Sequence, residues 1–87
     1  MPYIIEDDRI ELRAMAESLG KIAETEGDMN YCLTVLVHSW LKAQGVRYEN
    51  INAIIGVLEC AKLELYRRVA APYEDEKIVE NGDIGIL

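Results

Sequence analysis

Through most of this chain apolar residues recur at three- and four-residue spacing, with charged residues between them. From Asp8 to about Glu26 the apolar set is Leu12, Met15, Ala16, Leu19, Ile22 and Ala23, interleaved with Glu11, Arg13, Glu17, Lys21 and Glu24. That pattern predicts an amphipathic helix, led by acids that suit the positive end of its dipole. Gly27 is placed to stop it in the left-handed conformation, and Asp28 or Asn30 to cap the next helix. A second helix is predicted over roughly Met29 to Gln44, with Met29, Leu33, Leu36, Val37, Trp40 and Ala43 on one stripe. Gly45 ends it, and Lys42 lies in the last turn, where a cation is favoured.

A third helix is predicted to start near Asn50 or Asn52, both good caps, and to stop at Pro72. Its core stripe is Ile51, Ile54, Ile55, Leu58, Ala61, Leu65 and Val69. The opposite side is also apolar, through Ala53, Gly56, Val57, Cys60 and Leu63. A helix apolar on two sides must be covered twice. Helices one and two are the expected cover of the core stripe. A second copy of the chain is the expected cover of the other, with Gly56 and Cys60 allowing close backbone approach. The alternative is that Gly56 makes room for Trp40 or a Tyr within one chain. Beyond Pro72, Asn81-Gly82 stands between short apolar runs and reads as a hairpin turn. Ile84, Ile86 and Leu87 then form an apolar tail that would dock on a neighbouring copy. The expected architecture is all-α, a three-helix antiparallel bundle over residues 1–71 with a β-like or extended C-terminal tail over 72–87.

Composition narrows the functional classes. With 87 residues, 51% of them hydrophobic and 29% charged, the chain is too apolar to be disordered and amounts to one small domain. No apolar run approaches the ~20 residues that span a bilayer. The N-terminal residues lack both a basic leader and a long apolar core, so neither membrane insertion nor a signal peptide is expected, and the expected location is cytoplasmic. The net charge of −7 is concentrated at the two ends, with a nearly neutral middle. Duplex nucleic acid, which needs a basic footprint, is therefore not an expected partner. Cys32 and Cys60 belong to no close cysteine pair and are expected to be reduced, buried, small hydrophobes.

No sequence pattern supplies a catalytic constellation. His38, the single histidine, shares no helix face with Cys32, and a hydrolase would need His38, Cys60 and a carboxylate to converge in space. The scattered cysteines and the runs Glu6-Asp7-Asp8 and Glu74-Asp75-Glu76 match no zinc or calcium spacing, so no metal and no cofactor are expected. Neither a glycine-rich phosphate loop nor a nucleophile elbow is present. Lys62 falls within the core stripe, so its amine must snorkel outward or meet a carboxylate. Tyr66, Arg67, Arg68 and Tyr73 offer two guanidinium forks and two stackable rings, the groups that planar anions need. The same arginines could instead meet the tail acids of a neighbouring copy, or only cap the helix end.

The stretch "NINAIIGVLECAKLELYRRVAAPYEDEKIVENGD", Asn50 to Asp83, together with "EGDMNYCLTVLVH", Glu26 to His38, resembles a small family of uncharacterised bacterial and phage proteins. The resemblance implies a stand-alone cytosolic domain and carries over no catalytic residue. By analogy of size and setting alone, such a protein would sequester a nucleotide signal or occupy a host protein's surface. The expected function is non-enzymatic: a homo-oligomer holding a small anionic, nucleotide-like ligand between subunits. The alternative is an acidic interaction module or inhibitor that masks a basic protein partner.

Overall fold

The computed structural model describes residues 1–87. It is all-helical, with α1 over Glu6–Ile22, α2 over Glu26–Gln44, α3 over Tyr48–Leu65, a π-helical segment over Tyr66–Ala70, and α4 over Ala71–Asn81. Two compact units divide within α3, Pro2–Ile55 and Gly56–Leu87, the latter together with Met1.

The first unit is ordered by its caps. α1 opens on Glu6, Asp7 and Asp8 and closes with Lys21 in its last turn, the arrangement that the helix dipole favours. The break before α2 falls at Ala23–Thr25, so Gly27 does not stop the first helix and instead lies in the first turn of α2. Thr25, rather than Asp28 or Asn30, is the N-cap. Its hydroxyl accepts from the Asp28 amide at 3.0 Å, while the Asp28 carboxylate accepts from the amides of Glu24 and Thr25 at 3.1 and 3.2 Å. This reciprocal capping box satisfies donors that the helix leaves free. The amide bonds stabilise the charged carboxylate and hold the Asp28 pKa below its ordinary value of 3.8. Because that pKa is depressed on folding, the cap contributes fully above the ordinary value and is lost as pH falls through the folded one.

Gly45 ends α2 as the periodicity predicts, with a φ of 112° that few residues other than glycine adopt. The third helix starts at Tyr48, earlier than expected, and Asn50 does not cap it. The Asn50 amide instead donates to the carbonyls of Gly45 and Gln44 at 2.8 and 3.3 Å, closing the end of α2. At 9% exposure, Asn50 is the one buried residue of the chain. Two carbonyls depend on it, so Asn50→Ala is expected to cost about 1–3 kcal/mol. Thermal melts monitored by circular dichroism would check this, and an unchanged midpoint would show that the contact is dispensable.

Beyond α3 the backbone departs from the expectation that Pro72 stops the helix. A proline inside an α-helix has no N–H to donate, and its ring collides with the carbonyl four residues back. Here the segment Tyr66–Ala70 widens into a π turn, in which the Ala71 amide donates to the Tyr66 carbonyl five residues back. The extra residue moves the proline out of collision and the helix continues to Asn81. The expected tail therefore shrinks from 72–87 to the residues after Asn81, and Asn81-Gly82 forms no hairpin. Gly82, with a φ of 89°, terminates α4 and donates to the Ile78 carbonyl at 2.8 Å. No strand is present.

Packing does not confirm the bundle arrangement. Neither unit contains a buried apolar residue: the predicted core positions Leu12, Met15, Leu19, Leu33, Leu36, Trp40, Ile51, Leu58 and Leu65 are all exposed. The cysteines are free as expected, yet Cys60 is exposed and Cys32 only half-buried. Helices of this length draw most of their stability in water from packing an apolar face.

Candidate functional site

The predicted ligand-binding side chains lie in and just beyond the π segment. Arg67 and Arg68 lie within it, well before the helix end, so they do not cap a last turn as expected. The Arg67 guanidinium lies 3.3 Å from the Glu64 carboxylate one turn back. Arg68 is exposed. Neighbouring residues on a helix diverge by roughly 90–100°, so the two arginines do not face one ligand atom from the same chain.

Tyr66 illustrates what the π turn changes. Its hydroxyl donates to Glu74 Oε2 at 3.2 Å, eight residues away. On a regular α-helix, positions seven apart nearly eclipse, while positions eight apart are rotated by about 80°. One extra residue in the π turn brings position 74 to the place position 73 would otherwise take. The Glu74 bond and negative charge hold the phenol in its protonated form and raise the Tyr66 pKa above 10.0. A pKa raised on folding means that this contribution is complete below about pH 10, the ordinary phenol value, and is lost as pH rises through the folded pKa. Glu74→Gln is expected to bring Tyr66 ionisation back toward 10, followed by phenolate absorbance. Identical titration curves for the two proteins would disprove the contact.

Tyr73 turns instead toward Lys77, whose amine stands 5.4 Å from the ring centroid and 3.0 Å from Glu80. Glu74, Asp75 and Glu76 are helical residues of α4. The four residues Tyr66, Arg67, Arg68 and Tyr73 thus share a short helical stretch. Glu64 and Lys77, three residues from Arg67 and four from Tyr73, are partners readable from spacing. Glu74 is not, because its phase depends on the π turn.

Elsewhere, Lys62 escapes the apolar stripe by pairing with Glu59 at 2.9 Å. A Cβ added at Gly56 would meet nothing within 4 Å. Ala53, Val57, Cys60 and Leu63 beside it are exposed, as are Ile84, Ile86 and Leu87. His38 is exposed on α2, and no three His, Cys, Asp or Glu side chains are grouped so as to hold a metal ion. Open surface depressions lie beside Tyr31 and Thr34 and beside Tyr3 and Arg9. No helix is long and apolar enough to cross a membrane.

The helices define a small, all-α protein. Residues 1–84 match a family described as a domain of unknown function, DUF6899, and the chain belongs to that family. No curated protein matches the chain, and no solved structure does.

Proposed function

We propose that this chain is a non-enzymatic binding protein that works as a homo-oligomer, its helical bundle completed between copies. The observation that carries this reading is the absence of any buried apolar side chain beside long apolar faces on α1, α2 and α3. The outer face of α3 at Ala53, Gly56, Val57, Cys60 and Leu63, with Ile84, Ile86 and Leu87, is the proposed contact surface. Its support is that nothing in the chain approaches Gly56.

The ligand proposed for the assembly is a small nucleotide-like anion held between subunits, with Arg67 and Arg68 on phosphate and Tyr66 or Tyr73 stacked on a base. The arginines diverge on one helix, so such a site takes one of them from each of two copies. The second reading is an acidic module that covers a basic protein. It is favoured by α4, which displays Glu74, Asp75 and Glu76 as an ordered, exposed helical surface in a chain of net charge −7. The proposed setting for either is the cytoplasm.

Native mass spectrometry of protein purified from cells tests both parts. The expected spectrum shows a multiple of 9.9 kDa with a retained anionic adduct that is lost in the Arg67→Ala, Arg68→Ala double variant. An oligomer without an adduct would favour the acidic module. A bare monomer would remove the proposal.

A further inference from the structure

We infer that Asn81-Gly82 is a latent deamidation site, held unreacted by the backbone cap that closes α4 and released when that end of the helix opens. The chain has four asparagines, and Asn30, Asn50 and Asn52 are followed by Tyr, Ile and Ala inside helices. Only Asn81 precedes a glycine, whose missing Cβ lets its backbone nitrogen approach the neighbouring side chain closely. In the reaction the Gly82 nitrogen gives up its proton and attacks Asn81 Cγ. The bond from Cγ to the side-chain nitrogen breaks, ammonia leaves, and a succinimide ring remains. Water then opens the ring at either carbonyl, to aspartate or to isoaspartate. Nothing is oxidised or reduced, and solvent is the only co-reactant.

The cap opposes each requirement of that attack. Gly82 donates its N–H to the Ile78 carbonyl at 2.8 Å, so the attacking nitrogen is engaged and its proton held. Asn81 is the last residue of α4, and helical side chains lean back toward the helix N-terminus, away from the nitrogen that follows. Asn81 is nevertheless exposed, so water reaches it once the cap opens. The end is weakly held. Its last turn has no basic residue to meet the negative end of the dipole, and it contains Glu80. Lys77, one turn earlier, is engaged with that carboxylate at 3.0 Å. Beyond Gly82 no regular structure buttresses the turn. Conversion is also self-sustaining. Either product adds a carboxylate near Glu80 and Asp83, at the end of the dipole that disfavours it. Isoaspartate further inserts a methylene into the main chain, which shifts the Gly82 amide out of register with Ile78. The cap that prevented the reaction then does not reform.

Ageing of the full chain tests the site. The protein is incubated in mildly alkaline buffer with and without concentrated urea, new acidic species are resolved by ion exchange, and isoaspartate is located by peptide mapping. The expected first product carries isoaspartate at position 81. It forms at least about tenfold faster in urea, the factor for a helix end that is closed about nine-tenths of the time. Val79→Lys, at a position 86% exposed, puts a cation in the last turn. It is expected to slow conversion about two- to fivefold in buffer and to leave the rate in urea unchanged. Equal rates with and without urea would overturn the inference, as would a first conversion at Asn30, Asn50 or Asn52. An equal effect of Val79→Lys in urea would mean that the lysine acts on the chemistry and not on the cap, and would overturn the protective role. Asn81→Asp reproduces the charge of one product, and hydrogen exchange at its Gly82 amide is expected to be faster than in the unmodified chain. Unchanged exchange would remove the self-sustaining step.

Discussion

On serial dilution, the far-UV circular dichroism of this protein is expected to fall cooperatively toward that of an unfolded chain, and its melting temperature to fall with it. The 17 residues of α1 and 19 of α2 are short for helices that must stand alone in water. Within one copy their apolar faces bury nothing. If a second copy covers those faces, folding and association are one equilibrium, and stability depends on protein concentration. For a dimer, each tenfold dilution removes about 1.4 kcal/mol of stability per mole of dimer. The measurement is a set of melts across a thousandfold concentration range, with light scattering at both ends. A melting temperature independent of concentration would refute association as the source of stability. So would a helical signal that survives where only monomer is present.

Pro72→Ala is expected to remove the π turn. The widened segment from Tyr66 to Ala70 keeps the proline ring clear of the carbonyl that regular α geometry would place against it. With alanine there, an amide donor returns and the regular register becomes accessible, with a gain in local helix stability of up to about 3 kcal/mol. The register change also turns Glu74 off the Tyr66 face, since eight-residue spacing no longer aligns. Two readouts should therefore move together. The thermal midpoint rises, and Tyr66 ionises again near the ordinary phenol value. A lower midpoint with Tyr66 ionisation still displaced upward would show that the π turn has a cause other than the proline.

Much of the helical plan could be read locally. The apolar spacing, the acids opening α1, and Gly45 closing α2 describe interactions within a few residues, and each appears where the spacing puts it. The cap of α2 was missed by a few positions because Thr25 and Asp28 act reciprocally, and either alone is a sound cap. Asn50 suits the start of a helix because asparagine caps forward as well as backward. Only the fold of the loop shows its amide reaching back to Gln44 and Gly45.

The two larger departures have the same origin. Pro72 and Asn81-Gly82 are strong local signals, and each has two structural solutions. Proline can end a helix or be absorbed by a π turn, and glycine after asparagine can turn a hairpin or terminate a helix with positive φ. The candidate site inherits that ambiguity. Arg67 with Glu64, and Lys77 with Glu80, follow from three-residue spacing, whereas Tyr66 with Glu74 follows from the π turn alone.

By itself the sequence determined helix content, the position of the apolar faces and the concentration of acid toward both ends, because these depend on neighbours along the chain. The tertiary structure decided that those faces find no cover within either compact unit, and that one helix runs on through Pro72. Periodicity records that a face must be buried. It does not record whether the burying surface belongs to the same molecule, because the hydrophobic effect depends on area removed from water and not on which chain removes it.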